Sequence, residues 1–292
     1  MRNDCDEAYW ASLIFDNKKN TIMFCLKSLD ILGSKAELAS LPEGKLLINT
    51  VNAHSYNTAR KDSLFAEALM NGDVLIPDGV SIVKACKWIK AKSQPKERIA
   101  GWDLFAFEME KLERESEELR VKSEESNSIT SSKDGQEDSS LFSLRSSLKK
   151  VMFMGSSQKV LDLIVKRAAE VYPHLKVVTY SPPYKPEFSD EDNKAIIDAI
   201  NAANPDLLWI GMTAPKQEKW TYSHWKELDI HCHVGTIGAV FDFFAGTVER
   251  APMWWQEHGL EWLYRLMKEP KRMWRRYIIG NMLFLWNIMV KE

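Results

Sequence analysis

Along the chain, short β-branched and aliphatic runs alternate with longer segments whose apolar residues recur every three to four positions. Strand patterns fall at Leu46–Val51 (LLINTV), Val74–Ile76, Val151–Met154 (VMFM), Val177–Tyr180, Leu207–Ile210 (LLWI) and His231–Gly235. Between them the helical period predicts helices over Tyr56–Met70, Val80–Lys90, Trp102–Leu112, Lys159–Val171, Asp190–Asn201 and Pro215–Lys226. Alternation of this kind predicts an α/β fold, a Rossmann-like parallel-sheet sandwich, because parallel strands need a crossover helix between them. Internal repeats are not visible.

Two stretches break the alternation. Residues 114–140 hold eight Ser and eight acidic against four basic side chains, with only Leu119, Val121 and Ile129 as aliphatics. So little apolar surface does not offset the entropy of ordering, and a disordered insertion over 114–147 is expected. After Gly246 the chain becomes basic and aromatic, and reads as two or three amphipathic helices broken at Gly259 and Pro270. The domain reading is therefore a leading segment at 1–44, an α/β catalytic domain at 45–248 carrying the insertion, and a helical C-terminal appendage at 249–292.

Composition refines this picture. The 292 residues carry a formal net charge of −2, which argues against generalised nucleic-acid binding. Residues 114–140 account for −4, so the remainder is +2, and Trp262–Ile279 alone holds six Lys/Arg against one Glu. Five of the 11 Trp lie in the last 40 residues. Basic and aromatic side chains on a helix suit a membrane interface, and equally a helical hairpin packed on the sheet. The longest apolar run, Ile278–Val290, is 13 residues with two Asn, too short to span a bilayer. Four cysteines without CxxC spacing, and no signal-peptide pattern, predict free thiols in a reducing cytosol.

Ligands of doubly wound sheets sit beyond the carboxyl ends of the strands, which directs the search there. Thr50 and Asn52 end the first strand and Asp78 the second. Asp78, followed by Gly79, could be a partly desolvated general base or the N-cap of the next helix. Arg98 has the planar fork suited to phosphate, and equally to a surface ion pair. Gln217, just after Pro215, could face an anion at a helix start or merely belong to its cap. Gly238, in GTIG, could allow close backbone approach to a ligand. Asp190-Glu-Asp192 resembles a metal-binding DxD, but after Ser189 it reads as a capping box. His231 and His233 lack further ligands for zinc and read as structural. Absence of G-x-G-x-x-G and of a P-loop Lys disfavours dinucleotide-dependent and ATP-hydrolysing enzymes.

The blocks INTVNAHSYNTARKD, VLIPDGVSIV, ERIAGWDLF, GMTAPKQEKW, FDFFAGTVERAP and GLEWLYRLMKEPKRMWRRY, in that order, closely resemble the WecG/TagA/CpsF glycosyltransferases. The resemblance implies an inverting, metal-independent transferase without a cofactor, taking a sugar from a UDP-sugar donor to a polyprenyl-diphosphate-linked acceptor. It implies Asp78 as general base, with Thr50, Arg98 and Gln217 in the family's functional positions. It casts the C-terminal segment as an appendage that recruits the enzyme to the inner membrane leaflet. That appendage would supply Arg265, Arg272, Arg275 and Arg276 to the diphosphate, and the resemblance also implies a homo-oligomer whose self-association exchanges for membrane contact. The family often has T-P-N-A-E where this chain has Thr50-Val-Asn-Ala-His54, and G-G-S-F-D where it has Gly238-Ala-Val-Phe-Asp242. These positions, Asn52 and Asp242 among them, would line the sugar and nucleotide pockets. A non-catalytic peripheral membrane scaffold is the alternative reading.

Overall fold

The computed structural model describes residues 15–16, 21–22, 24–130 and 148–292, without the side chains of 15–16, 21–22, 125–130, Glu257, Arg272 and Lys291. Strands β1 (Phe15–Asp16) and β2 (Thr21–Ile22) form a short antiparallel pair. The main sheet has six parallel strands: β3 (Leu46–Val51), β4 (Val74–Pro77), β5 (Lys150–Gly155), β6 (Lys176–Tyr180), β7 (Leu207–Gly211) and β8 (His233–Thr236). Their spatial order is β4-β3-β8-β7-β5-β6. Every residue of β7 is buried, as expected for a central parallel strand covered on both faces.

Helices cover both faces. After β3 come α1 (Ala53–Ala59) and α2 (Ser63–Met70), and after β4 come α3 (Val80–Trp88) and α4 (Gly101–Thr130). The single helix expected over Tyr56–Met70 is thus two, because the Asp62 carboxylate accepts the Phe65 N–H at 3.0 Å and starts a new helix. Next are α5 (Gln158–Val171), α6 (Asp190–Ala203), α7 (Lys216–His224) and α8 (Gly238–Phe244). Ser189 and Asp192 make the reciprocal capping box at the start of α6. On one face Ile48, Ile76, Phe153 and Trp209 pack against Leu104, Phe105 and Met109 of α4 and Phe241 of α8. On the other, Val51 and Leu75 meet Tyr56, Phe65 and Ile82, while Leu208 and Ile210 meet Ile196, Ile200 and Trp220.

The expectation of disorder over 114–147 is corrected for 114–130, which continue α4 as helix. Glu, Leu, Arg and Lys are good helix formers, and Arg120–Glu124 at 2.6 Å adds an i,i+4 ion pair. Polar groups tether the first turns as well: fully buried Ser116 donates to the His174 carbonyl and accepts the Lys149 N–H at 3.0 Å. Counting aliphatic residues misses this, because Ser116 is held by hydrogen bonds. Residues 131–147 of the expected insertion lie outside the described set.

The C-terminal segment forms α9 (Met253–Glu257), α10 (Glu261–Lys268), α11 (Pro270–Trp274), a π-helical turn at Arg275–Ile279 and α12 (Gly280–Lys291). The expected breaks at Gly259 and Pro270 are present: Gly259 has φ +67° and Pro270 begins α11. On α12, Phe284 and Ile288 are buried in the cluster around Tyr56, with the Tyr56 and Phe284 rings 5.2 Å apart, edge to face. The Glu292 carboxylate accepts the Leu26 and Lys27 N–H groups at 2.8 and 3.0 Å. This helix therefore docks on the catalytic fold while its outer side stays open.

Candidate active site

Parallel strands deliver their carboxyl ends to one edge, and the candidates Thr50, Asn52 and Asp78 lie at the ends of β3 and β4. The Asp78 N–H donates to the Val51 carbonyl at 2.9 Å, which fixes the residue after β4 against the end of β3. Gly79 is the N-cap of α3, with no side-chain cap, so Asp78 is not the capping residue. Burial pushes the Asp78 carboxyl up; Arg98 and Arg265 oppose the shift, Glu261 adds to it, and the net direction is upward. A carboxylate so placed is a stronger base than one in water.

Asn52 starts α1. Its Oδ1 accepts the His54 and Ser55 N–H groups, each at 3.0 Å, and its side chain lies within hydrogen-bonding reach of Asp78. The helix cap thus holds Asn52 where it can orient the carboxylate. Thr50 is half-buried one turn of strand earlier, opposite Ile76. His54 is brought down to a pKa of about 4 by burial and then by the Arg276 charge, so its ring is neutral near pH 7.

Three arginines converge on one carboxylate beside Asp78. Glu261 of α10 holds Arg98 at 3.1 Å through Oε2 and Arg265 at 2.8 Å through Oε1, with Arg250 Nε at 3.9 Å. Its side chain is 10% exposed. Arg265 also lies over the Phe243 ring, 4.7 Å from its centroid. The Arg98 alternatives meet here: it is an ion pair, partly buried, and it faces Asp78. Arg276 and Arg275 are exposed, Arg276 acting on His54 and Arg275 lying over Trp274. The side chain of Arg272 lies outside the described set.

Gln217 is buried between two loops at the carboxyl ends of β7 and β8. Its Oε1 accepts the Met212 and Gly238 N–H groups, both at 3.1 Å, and its Nε2 donates to Glu218 Oε1 at 2.9 Å. Gly238 fits because a Cβ there would strike the Met212 carbonyl and Gln217 Oε1. Asp242 accepts from Thr247 and shapes the turn leaving α8. Gln217 and Gly238 thus tie the loops after β7 and β8 together, and Asp242 the turn after α8. Burial pushes the Glu218 carboxyl up to about 7. His233 is structural: Nδ1 meets Glu108 at 2.9 Å and Nε2 the Pro42 carbonyl at 2.9 Å. Among the described residues no group of three or more His, Cys, Asp or Glu could hold a metal.

A model of the glycosyl transferase WecG/TagA/CpsF family matches residues 25–121 and 139–292. The chain belongs to that family. Its gap, 122–138, falls in the Ser- and Glu-rich stretch that sequence patterning singles out. Three relatives are named N-acetylglucosaminyldiphosphoundecaprenol N-acetyl-beta-D-mannosaminyltransferase. One from Bacillus spizizenii is 26% identical over 260 residues, covering 89% of this chain and 85% of the relative. One from Bacillus subtilis is 27% identical over 232 residues, 80% and 75% of the two chains. One from Staphylococcus aureus strain MW2 is 23% identical over 242 residues, 82% and 79%. As a WecG/TagA/CpsF member the chain is a glycosyltransferase.

Sequence reasoning missed Glu261, Arg250 and Glu218 as functional candidates. The only signal for Glu261 was its place in the LEWLYRL block, four residues before Arg265 and so on one helix face with it.

Proposed function

We propose that this WecG/TagA/CpsF enzyme moves N-acetylmannosamine or a related hexose from a UDP-sugar to an undecaprenyl-diphosphate-linked N-acetylglucosamine, with inversion. The relatives' names carry the substrates, and the half-buried Asp78 framed by Arg98 and Arg265 carries the chemistry. The acceptor hydroxyl attacks the anomeric carbon, its proton passes to Asp78, and the bond to UDP breaks with its electron pair leaving on the diphosphate. General-base help of this kind is worth about 10²–10⁴ in rate. Arg265, with the exposed Arg275 and Arg276, offers fixed positive charge to the departing diphosphate, an interaction strongest where water is excluded. A scaffold without catalysis has no use for a proton-accepting carboxyl held between guanidiniums.

Membrane attachment through the appendage is part of the same proposal. No helix among the described residues is long and apolar enough to cross a bilayer. Yet α12 leaves Met282, Leu285, Trp286 and Met289 at least half exposed, next to the cationic Arg275–Arg276 pair. Trp at the headgroup level and about 1 kcal/mol per basic residue near an anionic leaflet favour that surface. The deciding assay is UDP release from a panel of UDP-sugars with a short-chain prenyl-diphosphate-N-acetylglucosamine acceptor, with the product identified by NMR. Acceptor-dependent UDP release with an inverted product supports the proposal, and acceptor-independent release alone rejects it.

A further inference from the structure

A cleft of about 670 Å³ runs from the Asp78 cluster along α4, bounded on its other side by Arg250 and the α9 segment. Its size is that of a site for a small ligand. Arg98 and Val80 line its inner end, and both adjoin Asp78, the first as a charged neighbour and the second two residues along the chain. Asp78 itself does not line the cleft, so a molecule held there approaches the proposed base past Arg98 and Val80.

The walls are chemically mixed. Lys35 stands on one side, 3.2 Å from Asp103, and its side chain is 48% exposed. Arg250 lines it as well, within the electrostatic reach of Asp103 and with its guanidinium 5.3 Å from the centroid of Trp102. Arg250 Nε is buried and has no hydrogen-bond partner, since Glu261 Oε1 at 3.9 Å is too far. A buried donor left unmet is costly, and a phosphate oxygen is the acceptor a guanidinium best satisfies. Asp103 is engaged by Lys35 and by the Ala100 N–H at 2.8 Å. Phe107 supplies a further apolar wall, and at the outer lip Met253 is 66% exposed beside Trp254 at 56%. An apolar chain leaving the cleft there meets more apolar surface.

We propose that this cleft is the acceptor subsite, taking the diphosphate and first sugar of a polyprenyl-diphosphate-linked amino sugar, with the prenyl chain leaving over Met253 and Trp254. The inference rests on the glycosyl-transfer reading above and adds the place and orientation of its lipid substrate. Arg250 and Lys35 grip the diphosphate, and Trp102 carries an apolar face of the sugar. Asp103 and Glu110, also on the walls, accept from sugar hydroxyls. The donor is left the opposite side of Asp78, at the ends of β3 and β8.

Two-substrate kinetics on the full chain test this, with a short-chain prenyl-diphosphate-N-acetylglucosamine and the UDP-sugar varied in turn. Loss of one charge-assisted contact in Arg250→Gln or Lys35→Ala should raise the acceptor KM about tenfold or more. The donor KM should change less than about twofold. Lys35 is half exposed, so its variant keeps the fold if Arg250→Gln does not. Farnesyl diphosphate, which lacks the sugar, should compete with the acceptor and not with the donor, and should lose potency in both variants. Equal rises in the two KM values, or competition against the UDP-sugar alone, overturn the subsite. If the wild-type chain turns over no donor, the transfer reading fails separately. Binding of farnesyl diphosphate followed by Trp fluorescence then still decides the cleft: tight in the wild type and weakened in Arg250→Gln supports it, and no binding rejects it.

Discussion

Replacing Glu261 by Gln keeps the shape of the side chain and one acceptor oxygen while removing the negative charge between Arg98, Arg250 and Arg265. Breaking a buried ion pair by removing one partner costs about 3–5 kcal/mol. The Arg98 and Arg265 side chains remain 18% and 31% exposed, and Gln keeps one hydrogen bond, so a loss of about 1–3 kcal/mol is expected. For a chain of this size that is about 2–6 °C in Tm. The effect on Asp78 is more diagnostic. Glu261 raises the Asp78 carboxyl both as a like charge and by occupying the arginines that would lower it. Without it the carboxylate is stabilised, and the acid limb of kcat/KM, which reports deprotonation of the base, moves to lower pH. Maximal kcat falls because the base is weaker. The assay is kcat/KM against pH for the two proteins, with thermal melts to confirm folding. A folded variant whose acid limb stays in place or moves upward refutes the electrostatic coupling.

Further outcomes follow from the same geometry. Glu218 has its folded pKa raised to about 7 by burial, above its unfolded value, so its contribution to stability is present at low pH and lost as pH rises through the folded value. The loss amounts to about 3 kcal/mol by pH 8, and Glu218→Gln should flatten Tm against pH between pH 5 and 8. Gln217→Ala leaves the Met212 and Gly238 N–H groups without their acceptor and should lower Tm by several degrees, with the donor KM rising more than kcat falls. A triple Leu285→Ser, Trp286→Ser, Met289→Ser variant should lose co-flotation with anionic vesicles while its melting temperature stays within about 2 °C, since these side chains face outward. Truncation near Glu249 is a poorer probe, because it also removes Glu261 and Arg265 from the site and Phe284 and Ile288 from the core.

Much of the fold follows from local pattern. LLINTV is β3 to the residue, and VMFM and LLWI sit in the middle of the sheet because runs apolar on both faces fit only strands covered on both sides. The expected His231–Gly235 strand is His233–Thr236 instead, since pairing starts where Leu46 and Leu207 of the neighbouring strands stand opposite His233. That register is set by the sheet and not by the local sequence. At the candidate site, Asp78 stands out from its position after a strand and Arg98 as a guanidinium in the loop before α4, and the two come together in the structure. Glu261 shows in sequence only its spacing to Arg265, because its link to Arg98, 163 residues away, arises when the fold brings the two within 3.1 Å. Gln217 is visible as a polar residue after a strand, but its work of joining two loops depends on β7 and β8 being neighbours.

The central claim is that Asp78 takes the acceptor proton. Asp78→Asn keeps size and hydrogen bonding but cannot accept that proton, so the transfer rate to a prenyl-diphosphate-linked acceptor, measured beside the melting temperature, tests it most directly. The account predicts a fall in kcat of about 10²-fold or more, with Tm unchanged or raised as a partly desolvated carboxyl is neutralised. Near-wild-type transfer by a folded Asp78→Asn protein would contradict it.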